Sequence, residues 1–309
     1  MKFDKIYQDL LHEIFNNGSV RQSRNHPTKS IFFYAFTIED PRSAILTLKY
    51  VHFKSVVTEL LWFMNGLTNV KYLIDNGCNI WNNDAYQNYR AKYKTPEYCW
   101  CKLSPLSDSC NCINLSEEEY INKIKTDENF ARVFGFLGPI YGEQWRGWDD
   151  QLKTLIKDIK TSPTSRRLIV NSWNISEIES MTLPPCHYSF QVYVRKEKLD
   201  MIVNMRSSDV PLGLPFNVTS YSLLLIILAK LTYKEVGVLN FVLGDAHIYL
   251  NQMDAAEKLL KVSPVECEPY FSFEGIDFTD LDSFLATATP DNIKIHDYKH
   301  AGRLNIPLN

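Results

Sequence analysis

The sequence predicts an α/β or α+β layered domain with a mixed sheet, and three observations carry that reading. Strand-like and helix-like segments are mixed along the chain without the strict βαβ alternation of a purely parallel sheet. Residues 189–194 and 199–205 read as the two strands of a hairpin, with the turn near Lys196-Glu197-Lys198, so part of the sheet is antiparallel. Residues 220–231 are apolar nearly all round, as expected of a helix buried inside a layered core.

Taken in order, residues 3–17 form an amphipathic helix. Phe3, Ile6, Tyr7, Leu10, Leu11, Ile14 and Phe15 recur at helical spacing, and Gly18 follows as a stop. The basic stretch 21–29 has no periodicity and reads as a loop. β-branched and aromatic residues predict a strand over 30–38. A second apolar helix covers 56–64, ends at Gly66 and carries one odd residue, Glu59. Residues 86–130 hold few aliphatics but Pro96, Pro105 and many Asn, Ser and Lys. They read as an inserted excursion, partly loop, with a short helix starting at Ser116-Glu-Glu-Glu. Core patterning returns at Val133. A helix over 151–159, a strand over 168–173, the hairpin, the buried helix, a strand over 238–243 and a helix over 251–260 complete the chain.

At 309 residues the length suits two domains or one large one. Hydrophobic residues (45%) suffice for a sizeable core, and 22% charged residues exclude a mostly disordered chain. Lys+Arg 33 against Asp+Glu 36 leaves −3, which provides no bulk basic charge for DNA. The most apolar run, residues 223–229, is too short to cross a bilayer, which takes about 20 residues. The N-terminus has no signal-peptide core. Seven cysteines, an odd number without a secretory signal, point to a reduced, cytoplasmic location.

Five groups of residues could carry chemistry. Cys186, in Thr182-Leu-Pro-Pro-Cys-His-Tyr188, reads either as a buried structural cysteine or as a nucleophile whose thiolate needs nearby positive charge. Arg166 and Arg167, or Arg206 in Asn204-Met-Arg-Ser-Ser-Asp209, could supply that charge. Arg206 with Ser207 and Ser208 also suits a phosphate, whereas an arginine pair is more often plain surface charge. In Gly213-Leu-Pro-Phe-Asn217, Asn217 offers a donor and an acceptor that match a uracil edge, or else caps the following helix. His247 and Tyr249 alternate, so they share one face of an extended segment, as ligands or as core. Glu59 on an apolar helix is either a proton-transfer group with a raised pKa or a buried hydrogen-bonding residue.

Together the motifs resemble the thymidylate synthase family. Thr58-Glu-Leu-Leu-Trp-Phe63, Ile80-Trp81, Gly138-Pro-Ile-Tyr-Gly-Glu-Gln-Trp145, Ser165-Arg-Arg167, Pro185-Cys-His187, Arg206-Ser-Ser-Asp209, Leu212-Gly-Leu-Pro-Phe-Asn217 and Asp245-Ala-His-Ile-Tyr249 occur in the family's order. The resemblance spans nearly all of residues 1–309 apart from the excursion. It implies a single layered domain with a mixed, mostly antiparallel β-sheet flanked by helices.

It also implies transfer of a one-carbon unit from 5,10-methylenetetrahydrofolate to dUMP, giving dTMP, in a homodimer. By resemblance Cys186 attacks C6 of the base and Glu59 relays protons, with Tyr141 and His187 lining the same cavity. Asn217 resembles the residue that reads the pyrimidine, and His247 and Tyr249 the pair on the sugar 3′-hydroxyl. Arg206 and Ser207 resemble phosphate ligands, Arg166 and Arg167 ligands donated across the dimer. Arg24, or alternatively Arg21, resembles the N-terminal phosphate ligand. Asp209 resembles the pterin contact, and Ile80, Trp81, Leu183, Gly213 and Phe216 the folate slot. Lys49-Tyr50 stands where the family usually has Lys-Arg, Asn82-Asn83-Asp84 follows Trp81, Met205 precedes Arg206, and Pro307 and Asn309 are unusual in the tail that closes over folate.

Two other functions stay open: a dUMP or dCMP hydroxymethylase, in which water quenches the methylene group, and a catalytically silent nucleotide-binding homologue. No metal is expected. Cys99, Cys101, Cys110 and Cys112 could hold zinc, but C-x-C departs from the usual C-x₂₋₄-C, so surface thiols are favoured.

Overall fold

The computed structural model describes residues 2–23, 26–92, 115–147 and 149–308. Helix α1 (Phe3–Asn17) buries the apolar stripe that its spacing predicts. Strands β1 (Ser19–Arg21) and β2 (Thr28–Ile38) take up both ends of the basic stretch expected to be a loop. Helix α2 (Phe53–Met64) starts after His52, whose Nδ1 accepts the Ser55 N–H, and ends before Gly66, which sits at φ 72°. That left-handed conformation suits glycine as a helix stop.

Helices α3 (Lys71–Asp75), α4 (Asn82–Lys92), α5 (Glu117–Thr126) and α6 (Glu128–Phe134) follow. Ser116 and Glu119 cap α5 reciprocally. The expected excursion is thus core at both ends. Tyr89, Tyr120, Phe130 and Phe134 are buried, with the Tyr89 and Tyr120 rings 5.0 Å apart. Counting aliphatics misses this burial, because aromatic rings supply the apolar area here.

Helices α7 (Tyr141–Arg146) and α8 (Gln151–Thr161) lead into β3 (Ile169–Asn171). Before α7, Gly138 has φ 84°, and a Cβ there would sit 2.1 Å from the Ser180 carbonyl. Strands β4 (His187–Arg195) and β5 (Lys198–Asp209) form the hairpin, followed by α9 (Gly213–Leu231) and the long β6 (Glu235–Tyr249). After α10 (Met253–Lys261), β7 (Tyr270–Phe273) and β8 (Ile293–His296) pair around α11 (Leu281–Thr287).

The main sheet has the order β1-β2-β6-β5-β4-β3. Every neighbouring pair is antiparallel except β5–β6, which is parallel. A parallel pair needs a crossover, and α9 is that crossover. This explains its composition: it lies on the sheet and is covered by α2 as well. It is long and apolar enough to cross a membrane, but 83% of its apolar window is buried in the fold. Thr219, Ser222 and Thr232 return their hydroxyls to carbonyls one turn back, which satisfies them inside the core.

Near the ends of β5 and β6 the ladders break in a line. Tyr188 is an extra residue in β4, and no pair forms where Arg206 meets Gly244 or where Gly244 meets Phe33. Phe33 takes φ 72°. Such irregularities bend a sheet and re-aim side chains, and these lie beside the site described next.

Candidate active site

Because β4 is antiparallel to β5, the start of β4 lies beside the end of β5, and the end of β6 lies on the other side. His187 is level with Met205, Ser207 with Asp245, and Asp209 with His247. The N-terminus of α9, the Glu59 face of α2 and the start of α7 close over this end.

Cys186 is a free, partly exposed thiol at the end of the Pro184-Pro185 approach. Its backbone N–H donates to Tyr141 Oη at 2.7 Å, and its carbonyl accepts the Arg206 N–H at 2.8 Å. Arg206 Nη2 lies 3.9 Å from Sγ. Burial raises the thiol pKa and the Arg206 charge opposes it. Arg206 Nε and Nη2 also donate to the Pro185 and Pro184 carbonyls, at 2.8 and 2.7 Å. The guanidinium, expected to serve a phosphate, therefore also anchors the nucleophile's loop. Behind Cys186, His187 stacks on Tyr141 at 4.2 Å, and its Nδ1 lies 2.8 Å from Tyr221 Oη. Burial pushes His187 down to about 3, so the imidazole is neutral at working pH.

Glu59 is buried and, among the described residues, accepts one hydrogen bond, from Trp81 Nε1 at 2.7 Å. Desolvation raises its pKa to about 7, and the indole donation only partly counters this. Its charge acts on Tyr141, Tyr221 and Cys78, which places it against the Tyr141–His187 layer.

Asp209 is the second carboxylate. Its Oδ1 accepts the Leu212 N–H at 3.0 Å and its Oδ2 the Gln252 Nε2 amide at 3.1 Å. Burial raises its pKa, while Gln252, Leu212, His247 and Lys49 lower it. Lys49 is buried too and falls to about 8 through desolvation, which Asp209 opposes. A Cβ on Gly213 would lie 3.8 Å from both Asp209 Cβ and Asn217 Oδ1, so these three residues adjoin. Asn217 lies inside α9, past its first turn, and is not a cap: the helix begins at Gly213 because Pro215 is tolerated near a helix N-terminus. Its amide has no hydrogen-bond partner among the described residues. Trp81 is buried, and Ile80, Leu183 and Phe216 pack half-exposed on the core.

His247 and Tyr249 do share one face of β6, with ring centroids 5.0 Å apart. His247 Nδ1 lies 3.1 Å from Asp245 Oδ1, and Asp245 Oδ2 lies 3.6 Å from Arg21 Nη1. That brings Arg21 to the site; Arg24 lies outside the described residues. Arg166 and Arg167 are exposed in the approach to β3 and have no carboxylate partner among the described residues. Cys99, Cys101, Cys110 and Cys112 lie outside the described residues. Among those described, no three His, Cys, Asp or Glu side chains group as metal ligands.

A family model described as thymidylate synthase matches residues 5–309. The chain belongs to the thymidylate synthase family. It is 44% identical over 254 residues to the thymidylate synthase of Mycoplasma genitalium, covering 81% of this chain and 83% of that protein. It is 38% identical over 295 residues to that of Mycoplasma mobile, covering 91% and 96%. To that of Phytoplasma mali it is 42% identical over 264 residues, covering 84% and 86%. The chain is an enzyme, a one-carbon transferase of this thymidylate synthase family.

Sequence reasoning missed three residues of this thymidylate synthase site. Tyr221 was hidden in an apolar run, and Gln252 carried no local signal. Lys49 stands in the sequence only as half of an altered pair; its charge reaches Asp209 only in three dimensions.

Proposed function

We propose that this chain converts dUMP to dTMP. One observation carries the reading: a cysteine, a carboxylate raised to about 7 and an amide with no partner among the described residues gather at one end of the sheet. Tyr141 accepts the Cys186 N–H, the charges of Glu59 and Asp209 reach Tyr141 and Cys186, and Gly213 adjoins both Asp209 and Asn217.

When bound, 5,10-methylenetetrahydrofolate supplies the one-carbon unit and the hydride. The residues fit such a group. Ile80, Trp81, Leu183 and Phe216 would offer apolar walls for a flat heterocycle, Gly213 would leave room, and Asp209 would hold its polar groups.

The protein's own residues divide the work on dUMP. The Cys186 thiolate, favoured by Arg206, bonds to C6, and the ring electron pair moves to C5 and makes it nucleophilic. Glu59 takes and returns protons, with Tyr141 and neutral His187 beside it. The Asn217 amide accepts from N3–H and donates to O4 of uracil. Cytosine reverses that pattern, so selection for uracil requires the amide to be held in this orientation. His247 and Tyr249 take the 3′-hydroxyl. Arg206, Ser207 and an N-terminal arginine, Arg21 or Arg24, take the phosphate, with Arg166 and Arg167 from a second copy. A homodimer is part of this reading, since Arg166 and Arg167 are exposed with no carboxylate partner among the described residues and so are free to reach a second copy. We read residues 1–309 as one catalytic unit, working in a reducing, cytoplasmic compartment.

The test follows both products from dUMP and methylenetetrahydrofolate. Dihydrofolate with dTMP is the expected result. Tetrahydrofolate with 5-hydroxymethyl-dUMP would make the chain a hydroxymethylase. No covalent adduct between Cys186 and 5-fluoro-dUMP would leave a silent binding protein.

A further inference from the structure

We infer that Gln252 is a positioning residue that latches the C-terminal segment to the Asp209 carboxylate, so that closure of the tail and orientation of Asp209 are one event. The inference deepens the functional reading above and rests on it for its catalytic consequence, though not for the latch itself.

Gln252 is fully buried at the turn between β6 and α10. Its single amide nitrogen reaches two acceptors from distant parts of the chain: Asp209 Oδ2 at 3.1 Å and the Pro307 carbonyl at 2.8 Å. An amide nitrogen carries two hydrogens, so both are committed. Its Oε1 is buried with no partner among the described residues. Turning the amide over would set Oε1 against a carboxylate and a carbonyl, two acceptors. The observed orientation is therefore dictated by the latch, and the orphaned oxygen is its cost.

The rest of the tail already lies against the 47–50 segment. The Ala301 N–H donates to the Thr47 carbonyl at 2.9 Å, and the Tyr50 N–H to the Gly302 carbonyl at 2.7 Å. Arg303 covers the Tyr50 ring at 5.0 Å, and Ile306 is buried. Beyond Ile306 the chain turns to solvent, with Pro307 and Leu308 exposed. Gln252 thus grips the tail where its apolar anchoring ends. The same side chain fixes Oδ2 of Asp209 while the Leu212 N–H fixes Oδ1. When the tail lifts, the amide loses one acceptor and Asp209 loses a clamped donor.

A closed tail keeps water from the methylene-bearing nucleotide. Loss of the latch should therefore change product identity as well as rate, which a packing role would not do. The test uses Gln252→Met, which keeps length and flexibility without donors. In the ligand-free protein, tail amides at 305, 306 and 308 should exchange with solvent roughly tenfold faster, the loss of one hydrogen bond, at an unchanged Tm. In turnover, folate KM should rise roughly tenfold with dUMP KM unmoved, and 5-hydroxymethyl-dUMP should appear beside dTMP. A second variant ends at Ile306 and lacks the Pro307 acceptor. There Gln252→Met should add little to folate KM. Unchanged tail exchange would overturn the latch. So would an equal KM penalty in the shortened chain, which would mean that Gln252 acts on Asp209 without the tail. Faster exchange in a protein that never turns over dUMP would keep the latch and overturn the functional reading.

Discussion

Glu59 and Asp209 are both carboxylates raised by burial, yet their surroundings differ. Glu59 accepts one hydrogen bond, from an indole, and has tyrosines, a thiol and a neutral imidazole nearby. Asp209 has both oxygens engaged, with the charges of Lys49 and His247 in reach. A poorly solvated acid with one donor changes protonation near neutrality. An acid whose two oxygens each accept a donor is held in position. The contrast separates a group that moves protons from one that orients a ligand.

The largest expected effect breaks the first half of that contrast. Glu59→Gln preserves shape and the indole contact but cannot titrate. Its kcat should fall by about 10²–10⁴, the usual contribution of a positioned acid or base. In the wild type, kcat/KM should rise with pH through about 7 as Glu59 ionises, and this limb should vanish in the variant. A variant within threefold of wild type would remove Glu59 from proton transfer.

Asp209→Asn tests the other half. Loss of a charge that orients a ligand should raise folate KM by roughly tenfold to a hundredfold, the worth of a hydrogen bond to a charged group. The kcat/KM pH limb should stay in place. Were that limb to move instead, Asp209 would be a titrating group after all.

Stability offers an independent reading. The folded pKa of Glu59, about 7, lies above its ordinary 4.5. Folding therefore favours the protonated form; its contribution is present below 4.5 and is lost as pH rises through 7. The wild type should lose on the order of 3 kcal/mol between pH 5 and 8 from this group. Glu59→Gln should show no such loss and be the more stable protein at pH 8. Urea melts at the two pH values decide it.

The smallest effect sharpens the cause. Trp81→Phe removes the indole donor while keeping an aromatic wall. The kcat/KM limb should move upward by up to about one unit, one hydrogen bond's worth. An unmoved limb would mean that burial alone sets Glu59.

Much of this was legible in order of locality. Helix α1, the apolar part of α2, the β4–β5 hairpin and the alternation of His247 with Tyr249 follow from short-range periodicity. The motif around Cys186 marked a thiol that the fold brings beside Arg206. The start of α9 was not legible, because Gly213 and Pro215 look like loop residues until the helix is packed. Helix α4 was hidden by its polar surface and buries only Ala85 and Tyr89 fully. The helix from Ser116 was legible through its cap, but the aromatic core of α5 and α6 was not, since few aliphatics mark it.

By itself the sequence determined which side chains carry chemistry and which elements bear them: a carboxylate on an apolar helix, a cysteine after two prolines, an amide near arginines. Those are properties of composition and of periods of two and 3.6 residues, and they need no partner. Only the tertiary structure decided what each group does. Solvation, charge and the count of donors around a carboxylate come from residues far away in the chain. Trp81 reaches Glu59, and Gln252 joins Asp209 to Pro307, only once the sheet end has closed. A pKa is set by that surrounding shell, so two acids that look alike in the sequence stand in different surroundings in the fold.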